Sequence, residues 1–337
     1  MRYDICMHEV FMRRCLELAE RGRGRVGSGA MVGAALVRDA KIIAEGWHEG
    51  FGKPHAEHML LQNFRGSIEP TDILYINLEP CLAHDTKKTS GCTEQILKRG
   101  IRRVAIGMTD PDFRVAGSSI LALKRAECEL KVGVLRAQCE YFNRGYINLR
   151  TKHRPWITLK KAQTRAGAIS HEDGSPMRIT SPEQDAWSHT FLRAKHDAIL
   201  VGIGTVLKDN PLLTPRLNKK NDQNLPLPYR LILDSRLQIP SNSSVVSDEY
   251  RHRTIIVADE KFYDMNTKEQ LEQKDVRVIA VSTQDGCFDW KKLWEVLITP
   301  TEGFCGIASI LVEGGRRTWT AFRDAKMIDA EVLLIEE

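Results

Sequence analysis

No stretch of this 337-residue chain approaches the roughly 18 consecutive apolar residues that a membrane-crossing helix needs. The N-terminus is broken up by Asp4, Glu9, Arg13, Arg14 and Glu17, which excludes a secretory hydrophobic segment there. The eight cysteines (Cys6, Cys15, Cys81, Cys92, Cys128, Cys139, Cys287, Cys305) are scattered and form no dense framework. That usage fits a reducing, cytoplasmic compartment better than a disulfide scaffold. Internal repeats and low-complexity tracts are also missing. A net charge of +5 spread over such a length is weak support for a polyanionic partner and is compatible with small phosphorylated ligands. What remains is an ordinary globular composition, 42% hydrophobic and 28% charged, long enough for two domains with separate cores.

One constellation carries chemistry. His55-Ala56-Glu57 is followed by Pro80-Cys81 and later by Cys92. One imidazole and two thiolates can hold Zn²⁺ and leave a fourth position for water. A metal held this way makes its water acidic near neutral pH. Glu57, two residues after the histidine, is then a proton shuttle and not a ligand, as in zinc-dependent deaminases. Ten residues separate the two cysteines, whereas the common deaminase signature has two. The competing reading, a core histidine with two inert buried cysteines, does not explain H-x-E and P-C in this order. His55 and Cys92 are both expected at helix N-termini, where the dipole favours a thiolate.

The apolar pattern predicts a helix over 4–20, with Val10, Met12, Cys15, Leu16 and Ala19 mostly inward. Arg21–Arg25 reads as a basic, glycine-broken turn, with phosphate contact as the sharper alternative. Strands are expected at 31–37, 41–45, 73–78, 103–108 and 130–134. Helices are expected from His55, from Cys92 and over 118–126, so the pattern points to a three-layer α/β domain. Residues 144–155, basic, polar and ending in proline, read as the domain boundary, which places domains at 1–147 and 148–337. The second half predicts strands at 156–160, 198–202, 229–234, 254–259, 276–281 and 309–313, and helices over 182–195 and 289–298. Residues 216–228 read as a surface loop. The chain stops inside another apolar strand, EVLLIEE, so a truncated second domain is an open alternative.

Two glycine turns follow buried strands, Gly202-Ile203-Gly204-Thr205 and Glu313-Gly314-Gly315. At the carboxyl ends of an open α/β sheet such turns let backbone approach a phosphate, so a nucleotide cofactor is expected there. Lys160, Arg193 and Arg216 are candidate phosphate binders by chemistry.

With both halves in view, the chain resembles the bifunctional deaminase–reductases of riboflavin biosynthesis over nearly its whole length and in the same domain order. The matching stretches are MVGAALV, GWHEGFGKPHAE, NLEPC, KTSGC and GMTDPDFRVAG in the first half. In the second they are RPWITLK, RIT, LRAKHDAILVGIGTVLKDNPLLTPR, RLILDS and LVEGG. The longer cysteine spacing is also characteristic of that family. The resemblance implies a cytidine-deaminase-like α/β/α domain followed by a dihydrofolate-reductase-like α/β domain. It implies Zn²⁺ and NADPH as cofactors. The implied reactions are deamination of a diamino-ribosylamino-pyrimidinone 5′-phosphate, then reduction of the ribosyl group to a ribityl chain. By position, Thr180, Thr205, Ser235, Glu313, Gly314 and Gly315 would line the NADPH site. Lys160, Arg193, Asp209, Leu213 and Arg216 would contact the substrate in the second domain, and His48, His84, Lys88 and Asp110 in the first. Family members form homodimers, which the sequence alone does not display.

Departures from the family pattern fall in both pockets. Ser28-Gly29-Ala30 replaces a Pro-Asn-Pro loop, and Asp112-Phe113 an Asn-Pro pair. In the second half Thr164-Arg165-Ala166-Gly167, Pro176 and Arg178 replace other residues. They motivate an alternative, a divergent deaminase acting on another aminopyrimidine or purine nucleotide, with an altered or inactive reductase half. A nucleic-acid deaminase suits the RGRGR turn but not the cysteine spacing or the second half. A reductase half kept only as a dimerisation scaffold is the non-catalytic reading.

Overall fold

A computed structural model describes residues 2–82, 91–169, 177, 179–217, 226–262 and 264–336. The chain divides into two compact units, Met1–His153 with Thr301–Cys305, and Arg154–Pro300 with Gly306–Glu337.

In the first unit the elements run α1 (Arg2–Glu20), β1 (Gly33–Arg38), β2 (Lys41–Trp47), α2 (Ala56–Asn63), β3 (Ile73–Leu78), α3 (Cys92–Lys98), β4 (Arg103–Met108), α4 (Ser118–Arg125), β5 (Glu129–Val132), α5 (Arg136–Phe142) and α6 (Arg144–Thr151). The strands form one sheet in the order β2-β1-β3-β4-β5. β1 is antiparallel to both its neighbours, while β3, β4 and β5 are parallel. Strand residues alternate between two cores, as a pleat of period two requires. Leu36, Leu74, Ile76, Val104 and Ile106 meet Leu60, Ile96 and Leu123 of α2, α3 and α4. Ala35, Val37, Tyr75 and Ala105 meet Phe11, Met12 and Cys15 of α1 and Cys139 of α5. The result is the expected three-layer domain.

One local expectation fails here. Val10 is 52% exposed, and Phe11 takes its place in the core. The buried stripe runs Phe11, Met12, Cys15, Leu18, Ala19, one phase further round the helix. Residues 144–151 form α6, and the division between the units falls after His153, within the boundary segment 144–155. In α6, Tyr146 and Ile147 pack on the first core and Leu149 is buried, so the helix stays with the first unit. The RGRGR turn is partly interior: Arg23 is buried, pairs with Glu20 at 2.7 Å and lies over the Phe142 ring.

The second unit contains β6 (Trp156–Gln163), α7 (Pro182–Trp187), β7 (Ala198–Gly202), α8 (Ile203–Asp209), β8 (Tyr229–Leu233), α9 (Ser244–Ser247), β9 (Thr254–Asp259), α10 (Met265–Glu272), β10 (Arg277–Val281), the short hairpin β11 (Thr283–Gln284) and β12 (Cys287–Phe288), α11 (Trp290–Ile298), β13 (Ser309–Val312), α12 (Arg316–Asp324) and β14 (Ala330–Ile335). Seven strands form a sheet in the order β10-β9-β8-β7-β13-β6-β14, every neighbouring pair parallel. All their carboxyl ends therefore share one rim.

Ser181 and Gln184 form a capping box around Pro182 and start α7 where the sequence SPEQ predicts a helix. The helix expected over 182–195 does not continue regularly. It passes into a wider π turn at Ser188–Leu192 and a tight 3-10 turn at Arg193–Lys195. Within 216–228, residues 218–225 lie outside the described set. No helix among the described residues is long and apolar enough to cross a membrane.

Candidate active sites

The first site is assembled from three separate pieces of chain. Gly46 in β2 lets α2 lie unusually close, since a Cβ there would come within 2.3 Å of the Ala56 carbonyl. His55 caps the start of α2, and Glu57 falls in its first turn. Cys81 follows the end of β3 after Pro80, and Cys92 opens α3. Thr93 ties the last two together: its N–H donates to the Cys81 carbonyl at 3.0 Å and its hydroxyl reaches the same oxygen at 3.1 Å. Gln95 and His58 join α3 to α2 at 2.7 Å.

His55 Nδ1 thereby lies 3.5 Å from Cys81 Sγ and 3.4 Å from Cys92 Sγ, and the two sulfurs are 3.6 Å apart. Tetrahedral zinc with ordinary bond lengths requires about 3.5 Å between nitrogen and sulfur and about 3.8 Å between sulfurs. The donor set fits that ion. His55 is exposed, Cys81 half-buried and Cys92 buried, so the cluster is open on one side. The two thiols share a contact that pulls Cys81 well below the ordinary thiol range and holds the proton on Cys92. Glu57 is only 3% exposed, and burial raises its carboxyl above the usual range despite the opposing charge of His55.

Of the residues expected around this cluster, His48 stacks obliquely on His55, with ring centroids 5.6 Å apart. Its Nδ1 faces the Ala30 carbonyl at 3.2 Å, and burial keeps the ring below its ordinary pKa. Asp110 is half-buried and raised by burial; its Oδ1 accepts the Asp112 N–H at 2.8 Å. His84 and Lys88 lie outside the described residues. Glu79 escaped the sequence reading. Its buried carboxylate accepts from the N–H groups of Asp110, Gly117 and Ser119 and from the Ser119 hydroxyl. Its signals in the sequence are a charge at the end of the buried run ILYINL and a place within the NLEPC stretch.

The second site lies along the carboxyl rim of the parallel sheet. β7 and β13 are adjacent, and each runs directly into a glycine turn and a helix. Gly202 and Gly314 both face Thr318 of α12. A Cβ on Gly314 would come within 2.7 Å of that side chain, and one on Gly202 within 2.9 Å. Gly204 and Gly315 instead border open space. Gly315 caps the start of α12, with no side-chain cap on that helix end. Thr205 lies in the first turn of the adjacent α8, and Ser235 follows β8 at the same rim.

Three expected ligand-binding residues meet one another. Arg193 clasps Glu313 through Nε and Nη2, the shortest contact being 2.6 Å, and its Nη1 reaches the Thr214 carbonyl. Lys160 stands 3.9 Å from the same carboxylate. Burial works against ionising Glu313, but the two cations prevail and lower its pKa. Arg193 is thus committed to Glu313 in addition to any phosphate. Leu213 is buried in the left-handed region, φ 51°, a strained conformation for leucine. The buried Arg230 holds the preceding Leu212 carbonyl at 3.2 Å. Arg216 receives its backbone support from His189, whose Nδ1 accepts the Arg216 N–H at 3.0 Å. Thr180 turns to Asp185 at 2.5 Å, and Asp209 is exposed in the last turn of α8.

Fold and sites define the class: a deaminase-type zinc-binding domain followed by a reductase-type parallel-sheet domain. Two family descriptions match these halves, the cytidine and deoxycytidylate deaminase zinc-binding region over residues 6–108 and the RibD C-terminal domain over 155–336. The chain belongs to the RibD family of bifunctional riboflavin-biosynthesis proteins, which join a deaminase to a reductase. It is 34% identical to the riboflavin biosynthesis protein RibD of Aquifex aeolicus, over 96% of this chain and 85% of that one. It is 36% identical to the RibD of Bacillus amyloliquefaciens, over 96% and 82%. A solved structure from Thermotoga maritima, a diaminohydroxyphosphoribosylaminopyrimidine deaminase/5-amino-6-(5-phosphoribosylamino)uracil reductase, superimposes with a TM-score of 0.78. It shares 33% identity and covers 98% of this chain and 87% of its own.

Proposed function

We propose that the chain deaminates 2,5-diamino-6-ribosylamino-4(3H)-pyrimidinone 5′-phosphate in its first unit and reduces the ribosyl group of the product to ribityl in its second. The observation that carries this reading is the donor triangle of His55, Cys81 and Cys92 with the buried carboxyl of Glu57 beside it. Bound Zn²⁺ would supply an acidified water and NADPH a hydride. Glu57 takes the proton from the attacking water and hands it to the departing amine, so water enters and ammonia leaves. Its burial suits a group that must hold a proton between those events. His48 and Asp110 border the pyrimidine, with His84 and Lys88 assigned to the same pocket by resemblance alone. In the second unit the turns at Gly202–Thr205 and Glu313–Gly315, with Ser235 and Thr180, hold NADPH. Lys160, Arg193, Asp209, Leu213 and Arg216 contact the substrate, the arginines serving its phosphate.

Mass spectrometry of the products tests both halves. Zinc-loaded protein should exchange one amine for a carbonyl oxygen, and add two hydrogens only when NADPH is present. Deamination without reduction would remove the second half of the reading. With zinc bound, inertness toward this substrate would favour the divergent deaminase that the altered Ser28-Gly29-Ala30 loop suggests. Glu57→Ala should lower deamination by about 10²-fold or more while zinc stays at one per chain. Loss of zinc in that variant would contradict a non-ligand role.

A further inference from the structure

Glu79 lies two residues before Cys81, at the end of β3, and is 5% exposed. A buried carboxylate is costly unless its lone pairs are filled. Here all four acceptor positions are used, and by one stretch of chain. Oε2 accepts the Asp110 N–H at 3.0 Å and the Gly117 N–H at 2.9 Å. Oε1 accepts the Ser119 N–H at 3.2 Å and the Ser119 hydroxyl at 2.7 Å. The Glu79 N–H itself donates to the Met108 carbonyl at 2.9 Å. The loop that carries Asp110, together with the first turn of α4, is therefore hung on the residue that leads into the Cys81 ligand. Gly117 sits in the left-handed region at φ 75° to turn its N–H inward, and α4 begins directly afterwards. A negative charge at that helix start is favourable in itself.

We propose that Glu79 is a positioning residue for deamination. It fixes Asp110 in register with the Cys81 end of the metal cluster, and thereby sets where the pyrimidine sits, without touching metal or substrate. The inference rests on Asp110 facing the substrate, as proposed above. Glutamine is the informative replacement. Its carbonyl can serve Asp110 and Gly117, and its amide can donate to the Ser119 oxygen, but the Ser119 N–H is then left facing a donor. Alanine loses all four side-chain bonds and keeps only the backbone bond to Met108.

The test uses the full-length, zinc-loaded chain with two readouts. Hydrogen exchange over residues 109–119 reports the loop independently of any substrate. Steady-state deamination of the diamino-pyrimidinone phosphate reports its effect on binding. Glu79→Gln should speed exchange in that segment, raise KM about tenfold and leave kcat within about twofold, with one zinc per chain and unchanged NADPH-dependent reduction. Glu79→Ala should do more of the same. Should the alanine variant fail to fold, Ser119→Ala removes one donor only and should raise KM about threefold. Wild-type exchange and KM in the glutamine variant would overturn the proposal. So would loss of zinc, which would make Glu79 a support of the metal cluster alone. If the wild-type chain does not deaminate this substrate, the functional reading fails, and the exchange experiment still decides whether Glu79 holds the loop.

Discussion

At the scale of single residues, the second site holds a titrating group of unusual sense. His189 accepts the Arg216 N–H only while its ring is neutral. Burial, reinforced by the charges of Arg193 and Arg216, brings its pKa from 6.5 down to about 4. The folded chain thus refuses a proton that the unfolded chain takes up. The stability due to the neutral ring is complete above an ordinary histidine pKa of about 6.5 and is lost as pH falls from there toward 4. His189→Gln should flatten that part of the pH–stability curve, read as denaturant midpoints across the range. A variant curve displaced but parallel to wild type would show that other groups carry the dependence. Arg193 teaches a related lesson: from sequence it is a free phosphate ligand, whereas the fold gives it Glu313 and the Thr214 carbonyl as partners.

Among elements, the meeting of β7, β13 and α12 around Thr318 sets the geometry of the cofactor turns. Gly202→Ala would press a methyl group within 2.9 Å of Thr318 Oγ1. It should weaken NADPH binding about tenfold, as a strain of roughly 1–3 kcal/mol implies. Thr318→Ala should restore most of that loss, because the offending oxygen is then gone; two independent, additive losses in isothermal titration would refute the contact as the cause. Strands were the most legible elements. β3, β4, β7 and β9 coincide with continuous apolar runs bounded by polar or glycine residues, and their expected ends match. α6 was illegible because Arg144 and Arg150 hide the inward Tyr146, Ile147 and Leu149. α12 was missed for the same reason, its Arg316, Arg317 and Arg323 surrounding the buried Thr318 and Phe322. The donor triangle could be read because its chemistry lies in side-chain identity. Glu79 and His189 could not, because their partners, backbone N–H groups and the Ser119 hydroxyl, come from 27 to 40 residues away.

For the whole molecule, two separate cores imply two separable responses to metal. The zinc ligands come from the starts of α2 and α3 and the segment after β3, so an ion there ties three parts of the first unit together. A site saturated a thousandfold above its Kd adds about 4 kcal/mol. Chelation should therefore lower the thermal midpoint of the first unit by several degrees and leave the transition of the second in place. Equal shifts in both, or none in either, would oppose this.

The seven-stranded sheet, parallel throughout, has a further consequence for how such a protein changes over generations. The turns at its carboxyl ends form a fringe along one rim, while the strands below carry the packing. Arg165 and Ala166 lie in one of those turns, closed by Thr164 and Ala168. In the first unit Ser28–Ala30 and Asp112–Phe113 likewise fall between elements, and Phe113 points almost wholly into solvent. These departures fall outside the regular elements, although Ala30 packs on the first core and the Ser28 N–H donates to the Cys305 carbonyl. Exchange of residues in these turns alters neither the strand order nor the register, so the scaffold can be inherited while the turns vary.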